Sequence, residues 1–178
     1  FNEADYDTLG SQIKCNPAVK TAADQHALLD AVRNDVLDII ATDHAPHTWE
    51  EKQNSYFKAP SGIPLVQHSM LALLELYHNG VFSLETIVKK TSHAVAERFQ
   101  VQDRGYIREG YFADLVLLDL GKPYVVNDSN LLYLCGWSPF NGYRFHSTVE
   151  MTLVNGQIAW QNGQVTDQVL GKRLTFNR

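Results

Sequence analysis

Residues 38–47 read DIIATDHAPH, an apolar run that ends in an acid and two histidines, Asp43, His44 and His47. A carboxylate can ligate a cation or carry a proton. A neutral imidazole can ligate, hydrogen-bond an anion, or act as acid or base near neutral pH. Alone, Asp43 reads as an N-cap or turn residue. Beside two imidazoles, with Pro46 stiffening the loop that holds His47, it reads as part of an active-site mouth. His44 stays open between a histidine bonded within its loop and a functional group, whereas His47 is read as functional. The Asp-His-x-x-His spacing lacks the helical HExxH context that makes two histidines converge on one ion. His26, His68 and His78 lie in helical patterns, and His93 and His146 lack an acidic neighbour at ligand spacing, so none receives a role. Asn16 before a proline, and Ser61-Gly62, read locally as loop formers. No GxSxG, P-loop or GxGxxG motif competes for the chemistry.

The elements that must position these groups are legible in outline. Residues 36–42 are apolar except for Asp38, which predicts a parallel strand covered on both faces, with Asp43 at its C-terminal end, where α/β folds build their sites. Residues 16–34 predict a helix entered through Pro17 and a Thr21/Asp24 capping box, with Leu28, Leu29 and Val32 as its stripe. A second helix is opened by Gly62 and Pro64, carries Val66, Met70, Leu73, Leu74 and Tyr77, and stops at Gly80; a third starts at Ser83. Beyond Gly105 the helical period gives way to strands at 113–118, 148–154 and 157–161. Asn155-Gly156 suits a type I′ turn that sets Leu153 opposite Ile158 and Met151 opposite Trp160, and Asn162-Gly163 turns the chain again towards Val165.

With 178 residues, 44% hydrophobic and 20% charged, the chain can bury a core as one domain or two small ones. Its net charge of -5 argues against nucleic acid as a partner. No apolar run reaches the roughly 20 residues needed to span a bilayer, and a cytoplasmic location is expected. Cys15 and Cys135 match no CxxC spacing and are expected to be reduced thiols. The start at Phe1 without an initiator methionine points to a processed or truncated chain.

The segments KCNPAVKTAADQHALLDAV, DIIATDHAPHTWEEK, APSGI, GYFADLVLLDL, CGWSPFNGYRF and TLVNGQIAWQNG resemble, in order, the C-terminal part of the dihydroorotase family in the amidohydrolase superfamily. Its most specific piece is the Asp43-to-His47 run. The resemblance implies an α/β fold, the C-terminal portion of a (β/α)8 TIM-barrel amidohydrolase over residues 1–103 and part of a small β-sandwich over 104–178. It implies that Asp43 ligates one zinc ion and shuttles a proton, that His47 and Asn16 bind the substrate's carboxylate and ring, and that the backbone at Ser61 and Gly62 contacts the ring amide. The implied reaction is the reversible cyclisation of N-carbamoyl-L-aspartate to L-dihydroorotate in pyrimidine biosynthesis, with two Zn2+ ions. The family's His-x-His, carboxylated lysine and two further histidine ligands come from earlier strands and have no counterpart here. The expectation is therefore a fragment, inactive alone, that forms homo-oligomers or associates with an N-terminal part. Alternatives are a hydantoinase or allantoinase activity, or a non-catalytic scaffold for a transcarbamoylase.

Overall fold

The structure, a computed structural model, describes residues 1–166 and 171–177. Residues 167–170 and 178 of the expected second part lie outside the described residues. The chain opens with short helical turns around α1 (Tyr6–Leu9) that bury Ile13. Helix α2 (Ala22–Arg33) starts where the sequence predicts: Thr21 accepts from the Asp24 N–H, and the Asp24 carboxylate accepts from the Thr21 N–H. Of its expected stripe only Val32 is buried, and Leu28 is 58% exposed. A second reciprocal cap, between Thr48 and Glu51, nucleates the single turn α3 (Trp49–Lys52).

The predicted strand at 36–42 is corrected by the structure. The stretch forms no ladder, Val36 is 73% exposed, and parallel pairing among the described residues is limited to a bridge between His44 and Ile63. A lone extended segment gains no inter-strand hydrogen bonds, so apolar character alone does not make it a strand.

Past Gly62 the chain makes a 3-10 turn, Val66–His68, and then α4 (Ser69–His78). Val66, expected on the buried stripe, sits in that turn and is 54% exposed, while Leu71 and Leu74 carry the packing. Gly80, at φ +69, ends the helix as predicted. The Ser83 hydroxyl caps α5 (Leu84–Val88), which runs through a π-helical stretch, Lys89–His93, into α6 (Ala94–Phe99).

The strands that follow are β1 (Leu115–Asp119), β2 (Tyr124–Val125), β3 (Arg144–Phe145), β4 (Thr148–Val154), β5 (Gln157–Gln161) and β6 (Gln164–Val165). They form an antiparallel sheet in the order β1-β4-β5-β6 and a separate β2-β3 pair. Asn155 and Gly156, at φ 52 and 80, make the predicted turn. Leu153 faces Ile158 as expected, but Trp160 faces Thr152 and Met151 faces Gln161, because Ala159 is an extra residue on β5. Its carbonyl is used instead by the Thr166 N–H. The main core joins both halves of the sequence: Val32, Leu71, Leu74, Phe82 and Ile87 pack with Val126 and Phe145.

Candidate active site

The extended stretch that leads to Asp43 is held by Lys90. Its ammonium, almost fully buried, donates to Asp35 Oδ1 at 2.6 Å and to the Leu37 carbonyl, and its own carbonyl accepts the Ile40 N–H at 3.0 Å. Lys89 and Lys90 together hold the Asp35 carboxyl down at about 2. Asp43 then takes φ +46, a left-handed conformation that Asp tolerates better than most residues, and this swings the chain out of its extended line into the loop.

His44 is a bonded, stacked residue. Its Nδ1 accepts from the Leu65 and Val66 N–H groups at 3.1 and 3.3 Å, satisfying donors at the start of the 3-10 turn. Its ring stacks on Tyr133 with centroids 5.5 Å apart. His47 is half-buried, and its Nε2 donates to the Ser61 carbonyl at 3.2 Å, while Nδ1 lies 3.7 Å from Glu51. The Trp137 indole N–H donates to the His47 carbonyl at 2.8 Å, tying this loop to a segment ninety residues downstream.

Gly62 is the point of closest approach. A Cβ there would lie 2.3 Å from the Ala45 carbonyl oxygen and 2.9 Å from His47 Cδ2, and its φ of +151 is one that L side chains rarely adopt. The Gly62 N–H donates to the Lys14 carbonyl at 2.9 Å, and the Gly62 carbonyl accepts from Lys52 Nζ, also at 2.9 Å. Asn16 lies two residues beyond Lys14, exposed like Asp43, and neither side chain has a hydrogen-bond partner among the described residues. Asp43 nonetheless lies close enough to Cys15 to be felt. Burial pushes the Cys15 thiol up, Lys52 opposes that rise and Asp43 adds to it.

Three loops therefore meet. Asp43 to His47, Ser61-Gly62 and Lys14 to Asn16 are joined directly by backbone and side-chain hydrogen bonds. Sequence reasoning missed Lys52, Tyr133 and Trp137. For Lys52 a signal existed, since the Thr48/Glu51 capping box fixes it at the inner end of a one-turn helix. The aromatic pair is distant in sequence and gave none.

An exposed carboxylate such as Asp43 is a suitable single ligand for Zn2+. Such a site needs at least three protein ligands, and among the described residues no three His, Cys, Asp or Glu side chains come together to hold a metal. The described residues do not by themselves make up a zinc site.

A profile of the Amidohydrolase family matches residues 12–159. The chain is 34% identical over 154 residues to a dihydroorotase of Clostridium acetobutylicum, covering 86% of this chain and 36% of that protein. It is 30% identical over 171 residues to an allantoinase of Desulfitobacterium hafniense, covering 96% of this chain and 38% of that one. Among solved structures, the L-hydantoinase (dihydropyrimidinase) of Arthrobacter aurescens superposes with a TM-score of 0.88 at 27% identity, over 93% of this chain and 38% of the hydantoinase. The chain thus spans little more than a third of the length of the relatives it matches, and its fold, mixed helix and sheet, is a part of the TIM-barrel amidohydrolase fold. With a family profile covering most of its length and a hydantoinase sharing its fold, the chain belongs to the amidohydrolase family.

Proposed function

We propose that the chain supplies the C-terminal wall of a dihydroorotase active site, in a protein that reversibly closes N-carbamoyl-L-aspartate to L-dihydroorotate. The observation that carries this reading is the meeting of His47 with Ser61-Gly62, on the same loop as Asp43 and hydrogen-bonded to the loop of Asn16. In this reading Asp43 exchanges the proton that the ring nitrogen gains on opening and loses on closure. His47 and Asn16 receive the substrate's carboxylate and ring, and the Ser61-Gly62 backbone meets the ring amide. Because the Gly62 N–H is already given to Lys14, the Ser61 N–H and the second lone pairs of the Ser61 and Gly62 carbonyls are, among the described residues, the backbone groups left for substrate. Zinc belongs to the proposal for the whole protein, with Asp43 as the single ligand contributed by this chain. A cytoplasmic location, a small-molecule substrate, homo-oligomers or association with an N-terminal part, and a division near residue 103 complete the reading. No helix among the described residues is long and apolar enough to cross a membrane.

The test is His47→Ala in the assembled protein. A hydrogen bond to a charged group contributes roughly 1.5 to 3 kcal/mol, so KM for dihydroorotate should rise on the order of tenfold to a hundredfold with metal content unchanged. Loss of a metal equivalent on elemental analysis would instead make His47 a ligand. The second reading, an allantoinase or hydantoinase, is favoured by the allantoinase that matches nearly the whole chain and by the hydantoinase fold neighbour. It predicts an unchanged KM for allantoin or hydantoin, which carry no carboxylate for His47 to hold.

A further inference from the structure

Among the described residues the largest fully buried side chains are two lysines, Lys52 and Lys90, and only Lys90 has a carboxylate partner. Lys52 makes no ion pair among the described residues. Its three ammonium hydrogens go instead to three backbone carbonyls: Gly62 at 2.9 Å, Pro60 at 3.0 Å and Lys14 at 3.2 Å. An –NH3+ group has three donors and no acceptor, so this arrangement uses its full capacity. The carbonyls belong to two loops that carry candidate substrate residues, and the helical turn bearing Lys52 begins at Trp49, two residues after His47, with Thr48 between them as its cap. The Ser11 hydroxyl donates to the Lys52 carbonyl, and the Lys52 N–H donates to the Thr48 carbonyl at 3.1 Å, so the backbone that carries the side chain is also held. Burial and the neighbouring Lys14 charge both push the Lys52 ammonium down, yet a neutral amine would turn a lone pair towards one of the three carbonyls.

We propose that Lys52 is the positioning residue of this site. Its ammonium is the shared hub that fixes the Lys14-to-Asn16 loop and the Pro60-to-Gly62 loop at one separation beside His47. A charge placed there for solubility would face water, and a charge placed for stability would face a carboxylate; this one faces only the backbone of the loops it joins. The inference deepens the functional reading above and rests on it only for its effect on substrate binding.

The experiment has an arm that needs no activity. In protein labelled with 15N at lysine, the Lys52 ammonium should give a resolved, slowly exchanging NH3+ resonance at neutral pH that is absent in Lys52→Met. No such resonance would overturn the proposal. In Lys52→Met, hydrogen exchange at the Gly62 amide should accelerate by at least about tenfold while the Leu74 amide of α4 keeps its protection. Uniform acceleration would mean general destabilisation and would contradict the proposal. Lys52→Arg keeps the charge but replaces three converging donors with a planar fork, and should fail to restore Gly62 protection; restoration would show that charge alone suffices. In the assembled, active protein, Lys52→Arg should raise KM for dihydroorotate by roughly tenfold with kcat within about threefold. An unchanged KM would overturn the positioning role. An inactive wild type that keeps the ammonium resonance counts against the proposed function and leaves the inference supported by the exchange data.

Discussion

His68 is completely buried among Tyr124, Tyr133, Phe140 and Phe145, and its Nε2 has no hydrogen-bond partner among the described residues. Burial lowers its pKa from 6.5 to about 4, so the folded protein keeps the ring neutral where the unfolded chain binds a proton. The sign follows: stability is full above the unfolded value of 6.5 and falls as pH drops from there towards 4, by on the order of 3 kcal/mol. Urea unfolding of wild type and His68→Leu at pH 7 and pH 4.5 should show a smaller pH dependence in the variant, and equal dependence would contradict the burial argument. Asp43 sits at the other extreme, exposed, at φ +46, and unbonded among the described residues. If it carries the proton, Asp43→Asn should lower turnover by about 10²–10⁴-fold with little change in melting temperature. A variant within a few fold of wild type would remove that role. The sequence marked Asp43 and His47 because acids and imidazoles after an apolar run are unusual. It could not resolve His44, whose partners at Leu65 and Val66 are set by tertiary structure.

At the scale of elements, the legible parts were those with local causes. The Thr21/Asp24 cap, the Ser83 cap, the Gly80 stop and the Asn155-Gly156 turn each depend on residues within four positions, and each stands where the sequence put it. The apolar stretch 36–42 does not form the expected strand, because a strand requires neighbours that no local pattern reveals. The β4-β5 register slipped by one residue because the Ala159 bulge is decided by what its carbonyl bonds, the Thr166 N–H. The loop junction at Gly62 gives the sharpest prediction at this scale. Gly62→Ala would place a Cβ 2.3 Å from the Ala45 carbonyl oxygen at a φ of +151. Backbone must move to relieve that contact, and a loss of about 2–4 kcal/mol by denaturant titration is expected. Less than about 0.5 kcal/mol would show that the two loops are not locked together. Trp137→Phe, which keeps an aromatic side chain but deletes the indole N–H bonded to His47 and shrinks a buried ring, should cost about 1–3 kcal/mol. Its expected signature is a raised KM for dihydroorotate, and an unchanged KM would confine Trp137 to packing.

For the whole molecule, the core that joins α2, α4 and α5 to Val126 and Phe145 explains how strands late in the sequence come to support a site near its start. Several apolar side chains remain outside it: Val36 at 73% exposed, and Val116 and Leu117 on β1 at 48% and 55%. Given that the chain spans 36% of its dihydroorotase relative, we expect these surfaces to be covered in the assembled protein. Light scattering of the isolated chain should then show self-association, and a monodisperse monomer would contradict that expectation. In the proposed function this wall serves dihydroorotate. The most direct test compares kcat/KM of the assembled, metal-loaded protein for dihydroorotate, allantoin and hydantoin. A site built to meet a substrate carboxylate should prefer dihydroorotate by about a hundredfold or more. Equal or faster turnover of allantoin or hydantoin would contradict it.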